Sequence, residues 1–295
     1  TLCDASKGPA EKTEVKLQLQ WFTQAQFAGY YAAVAQGCYA EAGLDVEILQ
    51  GAVEIVPQDV LASGGADFAL AWVPKALASR EAGANIVNIA QIFQRSGTLQ
   101  VSFKDAGITS PADFAGKKIG SWGYGNEFET SDELNVVSYE EAGVCMLQDA
   151  IWSAGDRLAN DPEYKATAIS FVKASLKGWA FCRDNTVICR DIVVENGPTL
   201  GSGHQLWQMN EINGLIWPSA DGVGYINQAA WDRTVEIASN TLNLDGATVL
   251  TQPVAADAFT NEIVEAALAE LKDEGVDVVG SSWTRIEVTL TEGGV

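Results

Sequence analysis

Gln20-Trp21-Phe22-Thr23-Gln24-Ala25-Gln26-Phe27-Ala28-Gly29-Tyr30-Tyr31 follows directly on Val15-Lys16-Leu17-Gln18-Leu19. The five leading residues alternate apolar and polar side chains and predict a strand. The next twelve hold five aromatic rings and three glutamines around one glycine, and they run into Ala32-Ala33-Val34-Ala35-Gln36-Gly37, which reads as helix. A strand that ends in aromatics and amides just before a helix marks the crevice where open α/β sheets take ligands. Aromatic faces stack on flat rings, and amides read ring nitrogens and carbonyls.

The rhythm continues outward from that stretch. Asp45–Leu49 reads as a second strand, and Ile55–Ser63 as a short helix stopped by Gly64-Gly65. Asp67–Ala71 reads as a buried strand, and Pro74–Glu81 as a helix opened by its proline. Ile86–Phe93 and Leu99–Phe103 read as further strands. This alternation predicts an α/β fold whose parallel sheet is covered by helices on both faces. After Ser110-Pro111 the rhythm breaks, and Gly120-Ser121-Trp122-Gly123-Tyr124-Gly125-Asn126-Glu127 supplies a glycine loop that lets a ligand approach backbone. From Tyr164 onward the pattern is helical: Tyr164–Arg183, a helix through Ile192–Val194, His204–Leu215, Asn227–Thr241 and Thr260–Glu274.

Composition narrows the function. With 295 residues and 47% hydrophobic content the chain has material for two lobes with a real core. A net charge of −21 argues against a nucleic-acid partner and against attraction to anionic lipid. The single histidine, His204, and the lack of any Cys-x-x-Cys argue against a zinc site. No Ser-His-Asp or Cys-His set can be assembled around His204, which reads as a capping or packing residue. Cys182 and Cys189 are close enough to clip one helix end to the next helix start, as a disulfide or as two buried thiols. Cys3, ahead of the polar leader Asp4–Lys12, resembles the lipid-modified cysteine of bacterial lipoproteins, although Leu2 is a poor residue to precede it.

Several stretches together resemble one family. They are Trp21–Tyr31, Gly37–Gly43, Val60–Lys75, Gly107–Glu127 with Gly116-Lys117-Lys118-Ile119-Gly120 and Gly125-Asn126-Glu127, Ala174–Asn185, and Gly203–Ser219. The resemblance is to extracytoplasmic substrate-binding proteins of ABC importers, in the branch similar to the yeast thiamine-pyrimidine synthase. It implies a two-lobed periplasmic-binding-protein-like fold with a ligand cleft between lobes. The implied division is a tether over 1–15, lobe I over 16–102 and 146–295, and lobe II over 103–145. The synthase's pyridoxal-bearing lysine and nearby histidine fall on positions that look like Ala71 and Lys75, in that order, and of its cysteine cluster only Cys145 stands here. The resemblance therefore implies a binder rather than an enzyme, with no cofactor. Relatives are also longer between the Asn126-Glu127 loop and Asp132, so lobe II reads as shortened or incompletely represented near Glu129-Thr130.

The expected partners are a small vitamin ligand and a membrane permease, with the protein itself a monomer outside the cytoplasm. Tryptophans at loop positions suit a large flat ring, which favours riboflavin, with a thiamine pyrimidine precursor as the alternative. The expected site is Trp21, Gln26, Tyr30, Trp72, Trp122, Tyr124, Asn126 and Glu127, each at or just after a strand end.

Overall fold

The strand before the aromatic stretch is the hub of a five-stranded sheet. The computed structural model describes residues 2–118, 134–242 and 246–295. β1 (Thr13–Gln18) leads into a short 3-10 turn, Ala25–Phe27, and then into α1 (Ala28–Ala35). Gly37, at φ 77°, ends the first helix, and α2 (Cys38–Glu41) starts a new direction. That left-handed conformation is open to glycine at little cost. There follow β2 (Leu44–Leu49), α3 (Pro57–Ala62), β3 (Phe68–Trp72), α4 (Val73–Glu81) and β4 (Ile86–Gln91). β5 (Leu99–Phe103) and β6 (Leu134–Ser138) form an antiparallel pair of their own. β7 (Asp149–Ala154) returns to the main sheet, whose order is β2-β1-β3-β7-β4.

β1 runs parallel to β2 and β3, whereas β7 lies antiparallel between β3 and β4. The sheet is therefore mixed, where the βα rhythm predicts a parallel one. β7 also falls where the sequence reads as the approach to a helical region. Its residues, Asp149-Ala150-Ile151-Trp152-Ser153-Ala154, are almost all buried and show no alternation, so periodicity does not announce a strand. The second sheet starts with β5, so the expected boundary between residues 102 and 103 cuts through a strand.

The remaining elements are helical: α5 (Gly155–Asn160), α6 (Pro162–Asp184), α7 (Thr186–Asn196), α8 (Ser202–Ile216), α9 (Gln228–Asn240) and α10 (Glu262–Asp273). Both faces of the main sheet are covered. Along β3, Phe68 and Leu70 pack into the core with α1 and α6, while Ala69 and Ala71 pack with Trp152 and Trp231 on the other face. Burial on both sides explains why β3 reads as a continuous apolar run. Phe68 stacks on Phe171 at 4.4 Å, and Phe171 stacks in turn on Tyr39 at 5.5 Å, tying sheet, α6 and α2 together. α6 meets α1 at Gly178 and Gly29, where a Cβ on Gly178 would stand 1.9 Å from the Gly29 carbonyl oxygen.

Two disulfides join the helical shell. Cys182–Cys189 links the end of α6 to α7. Cys3 is bonded to Cys38 and buried, which corrects its reading as a lipidation site: a sulfur in a disulfide has no thiol left for a thioether. The leader is docked rather than a free tether, with a 3-10 turn at Ala5–Lys7 capped by Asp4. Cys145 is a buried free thiol.

Candidate functional site

The ends of β1 and β3 and the start of β7 meet at one edge of the sheet, because β7 runs against its neighbour. Trp72 closes β3 and is paired in register with Asp149, the first residue of β7. Gln20 lies just past β1, and Gln26 sits in the 3-10 turn before α1. The turn is held from α8, whose Gln205 side chain accepts the Ala25 amide N–H at 2.7 Å. A second tie joins the Thr23 and Tyr31 hydroxyls at 2.8 Å.

Asp149 is the centre of this edge. Its Oδ1 accepts from Trp72 Nε1 at 2.7 Å and from Gln20 Nε2 at 2.6 Å. Gln26 Nε2 spans the carboxylate, 3.1 Å from Oδ1 and 2.9 Å from Oδ2. The carboxylate is buried, and burial pushes its pKa up to about 6, with the donors from Gln26, Trp72 and Gln20 pulling back against that rise. Among the described residues no cation contributes to the balance. Neutral N–H donors therefore hold the charge, as they would in a site built to orient polar groups rather than to neutralise an acid.

The three glutamines extend the network. Gln24 Nε2 donates to Gln26 Oε1 at 2.6 Å, and Gln208 Nε2, on α8, donates to Gln24 Oε1 at 3.3 Å. Gln208 Oε1 is buried without a hydrogen-bond partner among the described residues. Chemically, the edge offers half-buried indole and amide groups over a buried acid.

The sequence-derived site residues divide into four groups. Gln26 and Trp72 converge on Asp149. Tyr30 comes close enough for Asp149 to add to the rise that burial imposes on its pKa, but it is 1% exposed and lies edge-on to Trp179 at 5.6 Å. It backs the site instead of lining it, because the first turn of α1 faces α6. Trp21 is half-buried beside Gln20, its ring edge-on to Phe22 at 5.4 Å. Trp122, Tyr124, Asn126 and Glu127 lie outside the described residues. His204 lies near the start of α8 with its ring 5.5 Å from that of Trp207.

Sequence reasoning missed Gln20, Gln24, Gln208 and, above all, Asp149. A lone acid opening an otherwise apolar run was the available signal for Asp149, and it was hidden by the unread strand. The cavity of about 290 Å³ among α2, α6 and α10 is a separate feature. Its polar lining is internally paired: Lys177 bonds Glu41 at 3.3 Å and Glu274 at 2.6 Å.

Residues 24–134 match the family described as NMT1/THI5 like. The formylaminopyrimidine-binding protein of Halalkalibacterium halodurans is 28% identical over 106 residues, 36% of this chain and 32% of that protein. The 4-amino-5-hydroxymethyl-2-methylpyrimidine phosphate synthase of Legionella pneumophila is 26% identical over 109 residues, 37% of this chain and 34% of that protein. The chain thus spans about a third of the length of these curated relatives. Solved structures match across far more of it. The periplasmic nitrate-binding protein NrtA of Synechocystis superposes with a TM-score of 0.61 at 15% identity, covering 93% of each chain. The alkanesulfonate-binding protein SsuA of Xanthomonas axonopodis superposes with a TM-score of 0.58 at 9% identity, over 85% of this chain and 99% of that one. The fold is therefore the α/β periplasmic-binding-protein fold.

Proposed function

We propose that this protein is an extracytoplasmic solute-binding protein of an ABC importer that captures a flat nitrogen heterocycle at the β1–β3–β7 edge. The observation that carries the reading is the convergence of Gln20, Gln26 and Trp72 on the buried Asp149 carboxylate. An acid held by neutral donors, with indole and amide groups around it, suits a ring that presents N–H groups at its edge and a face for stacking. An aminopyrimidine has that edge, and the similarity to proteins named for pyrimidine binding and synthesis supports it. Riboflavin remains the second reading, favoured by Trp21 and Trp72 standing at neighbouring strand ends, where two indoles suit a larger ring.

The two disulfides support a location in an oxidising compartment. Among the described residues no helix is long and apolar enough to cross a membrane. A receptor for an importer must hold its ligand reversibly and release it unchanged, which lobe closure accomplishes. The test is calorimetric titration with 4-amino-5-hydroxymethyl-2-methylpyrimidine and with riboflavin, followed by mass spectrometry of the recovered ligand. Saturable binding of one of them, recovered intact, is expected. Failure of both to bind, or recovery of an altered molecule, would overturn the proposal.

A further inference from the structure

The glutamine chain that ends on Asp149 has a direction, and that direction has a chemical cause. A primary amide has one donor end and one acceptor end. An ionised carboxylate only accepts, so Gln26 must turn its Nε2 toward Asp149 and its Oε1 away. Gln24 must then meet that oxygen with its own Nε2, at 2.6 Å, and turn its Oε1 to Gln208. Gln208 in turn must use its Nε2, at 3.3 Å, which leaves its buried Oε1 as the unpartnered end of the chain among the described residues. Three amides in series thus transmit one polarity from β7 to α8.

We propose that Asp149 is a specificity-determining positioning residue: by pinning Gln26 it turns the glutamine chain so that Gln208 offers an acceptor, selecting ligands that bring an N–H or O–H donor to the site. The inference rests on the solute-binding reading above and adds to it the sense of the hydrogen bond the ligand must make.

The contacts of Asp149 make the consequence of removing its charge specific. Oδ1 accepts from Trp72 Nε1, an indole nitrogen that can only donate, and also from Gln20. In Asp149→Asn the remaining oxygen must stay at the Oδ1 position to serve Trp72. The new Nδ2 then occupies the Oδ2 position, where Gln26 Nε2 stands 2.9 Å away, donor against donor. Gln26 flips, Gln24 follows, and the open end at Gln208 becomes Nε2, a donor. Protonation of Asp149 on Oδ2 has the same effect. Among the described residues the titratable group that feels the carboxylate is the Tyr30 hydroxyl from α1, while Lys75 from α4 stands over the Trp72 ring, its Nζ 5.7 Å from the centroid. Tyr30 holds its proton far above neutral pH, so Asp149 is the group whose titration turns the chain.

Two measurements test this, one of which needs no ligand. In protein selectively labelled with ¹⁵N-glutamine, the side-chain amide resonances of Gln26, Gln24 and Gln208 should shift together with a midpoint at pH about 6. The shifts should be absent in Asp149→Asn, and Gln24→Ala should uncouple Gln208 while leaving Gln26 titrating. Independent or missing titration of the three amides in the folded wild type would overturn the relay. The second measurement compares 4-amino-2,5-dimethylpyrimidine, the amino form, with 2,4,5-trimethylpyrimidine, which keeps the ring nitrogens but has no N–H or O–H donor, by calorimetry. At pH 8 the wild type should favour the amino form by about tenfold or more, the scale of one hydrogen bond left unmade. That preference should collapse or invert in Asp149→Asn and in the wild type at pH 5. An unchanged ratio would overturn the selectivity claim. If neither pyrimidine bound the wild type, that would count against the aminopyrimidine reading, and the resonance titration would still decide the relay.

Discussion

Replacing Gly178 by alanine probes the helix contact on which the site is built. α1 carries the turn that holds Gln26, and it approaches α6 so closely that Gly29 and Gly178 face each other. An alanine methyl at 178 would stand 1.9 Å from the Gly29 carbonyl oxygen and 2.9 Å from Ala33 Cβ. The oxygen contact is more than roughly 1 Å shorter than normal packing allows. Backbone on one side and a core methyl on the other leave nothing that can swing away, so the helices must separate. Alanine gains about 1 kcal/mol of helix propensity over glycine. Overpacking costs about 1–3 kcal/mol, and a backbone clash lies at or beyond the upper end. The net loss should be about 2 kcal/mol. With a urea slope of about 3 kcal/mol per M, suited to a chain of this size, the unfolding midpoint should fall by roughly 0.7 M. Gly214→Ala is the matched control in α8: its methyl meets only the guanidinium end of Arg285, at 2.4 Å, which can move aside. It should be neutral or stabilising by up to about 1 kcal/mol. A Gly178→Ala midpoint equal to or above that of the wild type would refute the close-packing argument.

Three further outcomes are expected. Opening the Cys3–Cys38 link by paired alanine substitutions should cost about 4 kcal/mol, and opening Cys182–Cys189 about 2.5 kcal/mol, because their sequence separations of 35 and 7 release loops of different entropy; denaturation midpoints of the two double variants check the order. The buried Asp149 holds its proton up to pH about 6 in the folded chain, against 3.8 as its ordinary value, so the folded state binds more protons between those limits and this group's contribution to stability falls as pH rises through them. The stability of Asp149→Asn relative to wild type should therefore rise by about 2–3 kcal/mol from pH 4 to pH 7, and a flat difference in urea titrations across that range would show that Asp149 is not desolvated. Trp72→Phe removes one of the N–H donors that oppose the effect of burial, so the Asp149 midpoint read from Gln26 side-chain resonances should move higher, not lower.

Local chemistry determined much of this protein from the sequence by itself. The alternation of Val15–Leu19, the proline at the head of α4 and the glycines after α3 announce their elements, because each acts within a few residues of itself. The same holds for the aromatic and amide cluster after β1, which marks the edge where the proposed site lies. Tertiary structure alone decided the rest. β7 is buried on both faces and lacks alternation, so neither its strand character nor its antiparallel insertion between β3 and β4 can be read locally. Asp149 acquires its role only because that insertion brings it opposite Trp72, 77 residues away in sequence, and within reach of Gln20 and Gln26. The pairing of Cys3 with Cys38, the retreat of Tyr30 behind the site, and the reach of Gln208 across to Gln24 have the same origin. Each depends on helices packing against a sheet whose strand order is set by the burial of the whole core, and no window along the chain contains that information.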